Sequence, residues 1–371
     1  MTQSRHPIYI WQNDEWPNFR WDSDKLLEPI ERLGRLHGRL YGQMKMAGFD
    51  EKNHSLVAAM TDELIGSSEI EGINLNPQSV RSSIARRLGI ESDGLLVEDH
   101  YVEGLVDVML DAIQNCRKPL DSERLFGWHA ALFPTGRSGM YKITVADWRK
   151  GSEPMQVVSG AFGHEKVHYE APASEDVERE MARLIEWCNS ASHSPLIMAA
   201  VAHLWFVTIH PFDDGNGRLS RTLADMFLSR IDDSNARYYS MSAEINRRKK
   251  SYYEILERTQ KGGVDITEWM LWFFGCLESA IERALDLIGT TLRKAEYWQR
   301  FHGVEINERQ RKVINRLWDG FEGKLTSSKW AKICSCSQDT ALRDINDLVG
   351  KGMLRDSGER GRSANYLLAE G

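Results

Sequence analysis

The sequence has few cysteines, and they follow no regular pattern. Five occur in 371 residues, an odd number scattered along the chain. Secreted proteins held together by disulfides usually carry an even, closely spaced set, so the composition argues against a disulfide framework. Cys334 and Cys336 lack a second pair at zinc-binding spacing, and we interpret them as small, partly buried residues.

Long apolar runs and an excess of positive charge are also missing. No run of about 18 apolar residues is free of charged residues, and no charged-then-apolar leader begins the chain, which predicts a cytoplasmic protein without a membrane partner. The formal charge of -7 disfavours a surface adapted throughout to nucleic acid, although it permits a local basic patch. A hydrophobic content of 42% is enough for a substantial core, and the length favours two or three domains.

The most informative stretch runs from His210 to Arg221 and reads HPFDDGNGRLSR. The preceding residues, 196–209, are apolar nearly throughout and long enough for a buried helix, while Pro211 disfavours a helical backbone at His210. We therefore expect His210 at a helix end, with its ring facing a loop. An unperturbed imidazole has a pKa of about 6.5, which suits a base that deprotonates a hydroxyl.

The loop after His210 predicts an anion site. Its glycines allow unusual backbone angles and close approach of a ligand, and the apolar spacing from Leu219 to Phe227 predicts that the loop enters a helix N-terminus. Free amides and the helix dipole favour anions there. Asp214 adds an oxygen ligand of the kind Mg²⁺ uses beside phosphates, and Arg218 and Arg221 share one face of the first turn.

These residues resemble the signature of the Fic family, His-Pro-Phe-x-(Asp/Glu)-Gly-Asn-Gly-Arg-x-x-Arg, at every fixed position. The resemblance implies a mainly α fold: a Fic-type helical bundle with a short β-hairpin flap. It also implies transfer of AMP from ATP to a Ser, Thr or Tyr hydroxyl of a target protein. The Gly-Asn-Gly form of the loop resembles the adenylyltransferases rather than the branch that phosphorylates its targets.

The family resemblance also implies roles for single residues. His210 would deprotonate the target hydroxyl, and Asp214 would hold Mg²⁺. The remaining members would bind ATP: Gly215, Asn216 and Gly217 would cradle its phosphates, and Arg218 and Arg221 would hold the β- and γ-phosphates.

A second motif lies far upstream, from Ser67 through Glu71 to Gly72, at or just beyond the end of a predicted helix. It resembles the family's inhibitory motif, (Ser/Thr)-x-x-x-Glu-(Gly/Asn). The resemblance implies that Glu71 pairs with Arg221 and blocks the γ-phosphate position. A carboxylate and a triphosphate cannot occupy the same guanidinium, so competition between two anions is a sufficient switch.

Glycine and β-branched residues between 132 and 172 predict two short strands, and Gln156 to Tyr169 is the candidate flap hairpin. By resemblance to the family, the flap would dock the target protein by adding an edge strand. His164 and His168 share no helical face on such a hairpin, and we predict that they are surface residues. Aromatic residues crowd the first twenty-five positions, and the favoured interpretation is packing against the helical body.

After the motif, Tyr252 and Tyr253 resemble the nucleotide-base side of Fic proteins, where one tyrosine edges the adenine pocket; core packing is an equally good interpretation. Residues 266–298 predict a long helix that closes the bundle or supports a homodimer.

The last seventy residues predict a winged helix-turn-helix, with Ser337 as the N-cap of its last helix. The resulting domain division is 1–115 (N-terminal module with the inhibitory helix), 116–298 (Fic catalytic core) and 299–371 (winged helix). The arginines of the predicted wing favour DNA phosphates, whereas acidic residues on the predicted recognition helix oppose entry into the major groove. DNA binding, dimerisation and target docking therefore stay open for this module. The wing arginines are Arg355, Arg360 and Arg362, and the acidic residues are Asp339, Asp344 and Asp347.

Three functions fit the sequence. The first is an adenylyltransferase inhibited by Glu71, with ATP and Mg²⁺ as substrate and cofactor. The second is a DNA-binding regulator whose Fic domain senses nucleotide. The third is removal of AMP from a target, with Glu71 positioning water. Intact His210 and Asp214 weigh against the second, because a non-catalytic pocket needs no base beside a metal carboxylate.

Overall fold

The computed structural model describes residues 9–90, 99–159, 166–231, 236–318, 320–321, 323–358 and 365–369. The chain forms two compact units, Met1–Leu285 and Asp286–Gly371. The three-part division drawn from the sequence stays a prediction. Within the described residues, no helix is both long and apolar enough to cross a membrane.

The prediction of a mainly helical protein is confirmed. A short 3₁₀ helix (Ile10–Gln12) precedes the helices of the first unit. These helices are α1 (Ser23–Met46), α2 (Phe49–Ile70), α3 (Pro77–Arg87), α4 (His100–Gln114), α5 (Ser122–Leu132), α6 (Ser174–Ser190), α7 (Pro195–Ile209), α8 (Asn216–Leu228), α9 (Met241–Arg247) and α10 (Lys249–Gln260). They are followed by α11 (Thr267–Arg300), close to the long helix that the sequence predicts.

Several helices begin where the sequence offers a cap. Asn76 accepts hydrogen bonds from the backbone amides of Gln78 and Ser79, and Pro77 takes the first helical position of α3. Ser194 caps α7 in the same way, and a proline again follows it. These side chains satisfy amides that would otherwise lack partners at a helix N-terminus.

The core is centred on α7 and α8. Every side chain of α7 from Met198 to Ile209 is buried, as expected for a helix that is apolar on all sides. α8 packs against it with Leu219, Leu223 and Phe227, which have no exposed surface. The helical spacing that predicted α8 is therefore its core-facing side.

α2 packs closely against α9 at Gly66. A Cβ atom at this position would lie 2.6 Å from the backbone nitrogen of Ala243. Only a residue without a side chain fits such a contact without displacing one of the two helices. This contact fixes the position of α2 along α9.

Two small antiparallel sheets complete the first unit, β1 (Arg137–Ser138) with β2 (Tyr141–Lys142) and β3 (Gln156–Ser159) with β4 (Lys166–Glu170). The second pair confirms the predicted hairpin, and a bulge interrupts its register between Val157 and Val158. Residues 160–165, including His164, lie outside the described residues.

The N-terminal aromatic residues pack against the body, as predicted. The Trp16 indole donates a hydrogen bond to the carboxylate of Glu180 on α6 (2.8 Å), and its ring packs against Trp205 of α7. The Trp11 indole donates to the backbone carbonyl of Glu170 at the end of β4 (2.9 Å). The segment therefore contacts both the core and the hairpin.

The second unit contains α12 (Glu308–Trp318), α13 (Ser327–Cys334), α14 (Gln338–Gly350) and an antiparallel pair, β5 (Leu354–Asp356) with β6 (Tyr366–Leu368). Ser337 caps α14 by accepting from the amide of Thr340, as predicted. This order agrees with the expected elements, whereas the assignment as a winged helix stays a prediction. Arg360 and Arg362 lie outside the described residues.

Candidate active site

His210 is the C-terminal cap of α7 and adopts a left-handed backbone (φ = 54°). Its Nδ1–H donates to the carbonyl of Val207 (2.9 Å), so Nε2 keeps the lone pair that a base requires. Burial lowers the pKa of His210, the Val207 carbonyl opposes this, and the positive charge of Arg149 lowers the pKa further. The imidazole is therefore held neutral at pH 7, ready to accept a proton.

Asp214 is fixed through its carboxylate and its backbone. The Ser138 hydroxyl donates to Oδ2, and the amide of Gly215 donates to Oδ1. The buried ring of His129 accepts from the Ala146 amide at Nδ1 (3.3 Å), so its Nε2–H donates to the Asp214 carbonyl (3.2 Å). These hydrogen bonds therefore fix the orientation of the Asp214 carboxylate in the loop.

The surroundings of Asp214 suit a metal that arrives with its ligand. Among the described residues, no cluster of three or more His, Cys, Asp or Glu side chains forms a metal site. Mg²⁺ commonly uses one or two protein carboxylates and takes its other ligands from phosphates and water. The Asp214 carboxylate at the start of α8 fits that mode.

α8 begins in a tight loop in which there is no space for side chains at the glycine positions. Gly215 has a left-handed backbone (φ = 83°), and a Cβ there would lie 2.8 Å from the Phe133 ring. Asn216 turns its side chain back to Phe212, donating to its carbonyl (2.8 Å) and accepting from its amide (2.9 Å). The Asn216 side chain thus braces the loop, so any phosphate cradle here would be made of backbone amides.

Glu71 lies directly after α2 as its C-cap residue. Its Oε1 is 2.7 Å from Arg221 Nη2, and a Cβ added to Gly217 would lie only 2.3 Å from the same oxygen. Gly72 follows with a left-handed backbone (φ = 76°), which lets the chain leave the helix there. The carboxylate is therefore held against the first turn of α8, and the ion pair implied by the inhibitory motif is present.

Ser67 also binds Arg221. Its hydroxyl accepts from Nε (3.0 Å) and its backbone carbonyl accepts from Nη2 (2.9 Å). Burial lowers the pKa of Arg221, but Glu71 together with Tyr252 and Tyr253 raises it by more, so the pKa of Arg221 is raised overall. The last turn of α2 thus holds this guanidinium through one removable charge and two neutral acceptors.

The side chain of Arg218 has different contacts from that of Arg221. Its Nη1 donates to the Tyr101 hydroxyl (2.7 Å), and its guanidinium lies over the Phe133 ring, 4.8 Å from the centroid. Among the described residues, Arg221 lines the large cavity of the site and Arg218 does not. The predicted contact of both arginines with one ligand stays a prediction for Arg218.

The structure separates the two tyrosines. Tyr252 is buried in the core, with its hydroxyl 2.8 Å from Nε2 of His203. Tyr253 is 41% exposed and donates to the carbonyl of Ile70 in the last turn of α2 (3.3 Å). Both line the cavity, where Tyr252 is buried and Tyr253 is exposed.

Eight of the residues implied by the motifs line one cavity of about 680 Å³, a size typical of small-molecule sites, whereas Ser67, Gly72, Gly215 and Arg218 are not part of its lining. Its walls come from the motif loop, the ends of α2 and α7, strands β3 and β4, and α10. The lining includes Glu71, His210, Asp214, Asn216, Gly217, Arg221, Tyr252 and Tyr253.

His168 on β4 is partly exposed and connects the hairpin to α10. Its Nδ1 lies 2.7 Å from Glu257, and its Nε2 lies 2.6 Å from the Ser159 hydroxyl on β3. Hydrogen bonds from Lys261 and His168 lower the pKa of Glu257 to about 2. We call these four residues the hairpin latch.

Three supporting residues escaped the sequence reasoning: Ser138, His129 and Arg149. Their side chains hold the backbone or carboxylate of motif residues from elements distant in the chain. His129 follows Leu125 by four residues and precedes Leu132 by three, and this helical spacing is the sequence signal that could have indicated a structural role.

Two family profiles match the chain. Residues 119–228 match the Fic/DOC family, and residues 9–90 match a domain of unknown function (DUF4172). Glu71 lies in the second match and Arg221 in the first, so their ion pair joins the two.

Curated relatives match over a short stretch. The protein adenylyltransferase Fic of Drosophila ananassae is 33% identical over 132 residues, which cover 34% of this chain and 25% of the relative. The protein of the same name from Nematostella vectensis is 33% identical over 117 residues, covering 31% of this chain and 26% of that one. The chain therefore spans about a quarter of the length of these relatives.

Solved structures resemble the fold. A Fic family protein from Desulfovibrio desulfuricans G20 has a TM-score of 0.53 at 19% identity, covering 93% of this chain and 95% of that one. A Fic domain containing signaling protein from Bacteroides thetaiotaomicron VPI-5482 has a TM-score of 0.52 at 20% identity, covering 69% and 95%. These likenesses are of fold. The match to the Fic/DOC family at residues 119–228 contains the complete signature between His210 and Arg221.

Proposed function

We propose that this chain transfers AMP from ATP to a hydroxyl group of a protein and that Glu71 inhibits the reaction. The observation that carries the proposal is the meeting of His210, Asp214 and Arg221 in one cavity at the N-terminus of α8. The names of the curated relatives, protein adenylyltransferase Fic, support the same activity.

The chemistry follows from the positions of these groups. Nε2 of His210 accepts the proton of a Ser, Thr or Tyr hydroxyl, and the resulting oxygen attacks the α-phosphorus of ATP. The bond from that phosphorus to the bridging oxygen breaks, and pyrophosphate leaves. Backbone amides at the start of α8 and the guanidinium of Arg221 stabilise the negative charge.

Asp214 is the residue that would hold Mg²⁺, and the metal would neutralise charge on the phosphates. Its carboxylate is kept in place by the Ser138 hydroxyl and the Gly215 amide. Arg221 would contact the distal phosphate, and the exposed Tyr253 would contact the base.

Inhibition by Glu71 is supported by electrostatics. A carboxylate at the C-terminus of α2 faces the negative end of that helix dipole, which is unfavourable. Arg221 and the positive end of α8 offset this cost. An internal anion thus occupies the place that suits a phosphate, and ATP must displace it to bind productively.

The flap hairpin is the proposed docking element for the target protein. Strand β3 lines the cavity, and its Val158 is 48% exposed. An extended target segment that pairs with this strand would place a hydroxyl over the cavity.

The test is intact-mass measurement after incubation with labelled ATP and Mg²⁺. Wild type is compared with Glu71→Gln, which removes only the charge, and with His210→Ala. Glu69→Gln is the matched control, because Glu69 contacts Asn246 instead of Arg221. We expect AMP incorporation to rise in Glu71→Gln, stay at the wild-type level in Glu69→Gln and disappear in His210→Ala. Incorporation that persists without His210 would contradict the mechanism.

Removal of AMP from a modified protein is a second candidate. The Glu71 side chain is one-third exposed and lines the cavity, so its carboxylate can also orient a water molecule. Incubation with an AMP-modified protein distinguishes the two reactions. Release of AMP that depends on Glu71 supports removal, and release that is unchanged in Glu71→Gln contradicts it.

DNA binding by the second unit is a further candidate function. It is supported by ion pairs that neutralise two acidic residues of α14. Asp344 pairs with Arg309 (2.8 Å) and Asp347 pairs with Lys351 (2.6 Å), so these two oppose DNA less than the sequence suggests, while Arg343 is exposed. We expect a gel shift with genomic fragments at low salt that Arg343→Glu weakens. No shift with the wild type would contradict this candidate.

A further inference from the structure

Arg149 is a buried cation whose hydrogen-bond acceptors, among the described residues, are backbone carbonyls. Only 4% of the residue is exposed. Its Nε donates to the carbonyl of His210 (2.8 Å), and its Nη2 donates to Pro172 and, at 3.5 Å, to Ile209. Its own backbone amide donates to Pro211 (2.9 Å).

These contacts converge on the least favourable backbone angle of the motif. His210 has φ = 54°, which is uncommon for a residue with a side chain and persists only where the surroundings enforce it. Its amide remains bonded to Phe206 in α7 (3.0 Å). Its carbonyl faces the Arg149 guanidinium, so the peptide groups on both sides of His210 are held.

The same guanidinium reaches the root of the flap. Pro172 follows strand β4 by two residues, and Arg149 itself precedes strand β3. One planar group with several fixed donors therefore connects the beginning of the flap, its end and the residue that carries the base. Lysine could not reproduce this pattern, because its ammonium group is a single point of donation.

We propose that Arg149 is a positioning residue of the transfer reaction, which locks the left-handed turn at His210 and so aims the imidazole into the cavity. This inference rests on the proposed function. Arg149 acts through the His210 backbone, and the described contacts of its side chain are with carbonyl oxygens.

The charge of Arg149 gives the proposal a readout that a purely structural role would lack. His210 is surrounded by Arg149, which lowers its pKa, and by Glu71 and Asp214, which raise it, while burial has the largest effect and lowers it. Removing the Arg149 charge therefore raises the pKa of His210. Because the base must be deprotonated, the acidic limb of the pH–rate profile moves to higher pH.

The first experiment compares Arg149→Met and Arg149→Lys in a Glu71→Gln background. We expect kcat to fall about 10- to 100-fold in Arg149→Met, as for misplacement of a catalytic group, with KM for ATP within about twofold. Arg149→Lys should also lower kcat but leave the acidic limb at its original pH, since the charge remains.

Arg230→Met is the matched control. Arg230 also binds a backbone carbonyl, that of Cys116 (2.7 Å), and packs over the Phe227 ring, on the opposite end of α8 from the motif. It should leave kcat and the pH profile unchanged. Equal losses of kcat in the Arg149 and Arg230 variants, in step with their melting temperatures, would overturn the proposal.

The second experiment does not require activity. Histidine ring protons are titrated by NMR in each variant, and the His210 signal is assigned by its absence in His210→Ala. We expect the His210 midpoint to rise in Arg149→Met and to stay in place in Arg149→Lys and Arg230→Met. An unchanged midpoint in Arg149→Met would overturn the role of Arg149, whereas loss of AMP transfer in every variant, including the parent, would count against the proposed function instead.

Discussion

The two ends of the motif are held by different chemistry. At the α2 end, Arg221 binds the Glu71 carboxylate, a charge that another anion can replace. At the flap end, Arg149 binds carbonyl oxygens of the backbone at His210, which no ligand can displace without unfolding the turn. The first contact can therefore be exchanged for a ligand, whereas the second holds the backbone of the site in place.

A second set of ion pairs lies near the α2 end, and unlike the Glu71–Arg221 pair it is fully buried. Arg237 lies between Glu63 of α2 (3.0 Å) and Asp225 of α8, and all three side chains are buried. This triad ties the two helices together independently of Glu71. Variants that break each contact in turn test whether the Glu71–Arg221 contact can change while the buried contacts keep the site in place.

The largest effect is expected for Arg237→Met. It leaves two buried carboxylates without their common cation, and loss of one partner of a buried ion pair costs about 3–5 kcal/mol. Chemical denaturation measures the loss in free energy of unfolding. Arg258→Met, which removes a cation from the exposed pair with Glu268, should cost less than about 1 kcal/mol. Equal losses for the two variants would mean that the triad does not hold the site in place.

The same triad predicts a pH dependence of stability. Burial raises the pKa of Asp225 to about 7, with Arg237 opposing and Glu63 adding to the rise. A carboxyl with a raised pKa in the folded state stabilises the fold at low pH and loses that contribution as pH rises through 7. The free energy of unfolding should therefore fall between pH 5 and pH 7, by on the order of 2 kcal/mol.

Asp225→Asn should flatten this pH dependence, because the amide cannot titrate. Asp14→Asn, at an exposed position, serves as the control and should keep the wild-type slope. A slope that survives in Asp225→Asn would assign the titration to another group.

A smaller effect is expected at Ser67, the neutral part of the contact with Arg221. In a Glu71→Gln background, Ser67→Ala removes one hydrogen bond worth about 1 kcal/mol, so KM for ATP should rise about fivefold. Ser55→Ala on the same helix is the control. An unchanged KM in Ser67→Ala would show that Arg221 needs no support once Glu71 has gone.

The smallest effect is expected for the hairpin latch. His168 and Glu257 are each about one-quarter exposed, and such a pair contributes less than about 1 kcal/mol. His168→Gln should leave the melting temperature nearly unchanged but speed amide hydrogen exchange in β3 and β4. His302→Gln, an exposed position in the second unit, should change neither. Exchange that is unaffected in His168→Gln would mean that the flap is fixed elsewhere.

Local patterns in the sequence predicted a large part of the site. The apolar run before Pro211 indicated a helix ending at His210, and the periodicity after Gly217 indicated α8. The position of Glu71 after a helix also followed from spacing. These features depend on neighbours along the chain, and such neighbours are visible in a sequence.

Contacts between distant segments could not be predicted in this way. Arg149 stands in a polar stretch that is typical of an exposed loop, and nothing nearby indicates that three carbonyls will surround it. Asp225 gave a weak signal, because a carboxylate on the apolar face of α8 requires a buried partner. Its partner Arg237 is twelve residues away and comes from a loop.

The close contact at Gly66 has a consequence for the speed of activation. Because a hydrogen atom is all that separates α2 from the backbone of α9 there, α2 cannot slide or roll past α9 without a clash. Separation of the Glu71 carboxylate from Arg221 then requires only rotation about the side-chain bonds of Glu71, and the contacts of Arg221 with Ser67 remain. Such rotations take picoseconds to nanoseconds, whereas helix displacement takes microseconds or longer. We therefore expect the arrival of ATP, rather than a slow rearrangement of the protein, to set the rate at which the inhibitory contact opens.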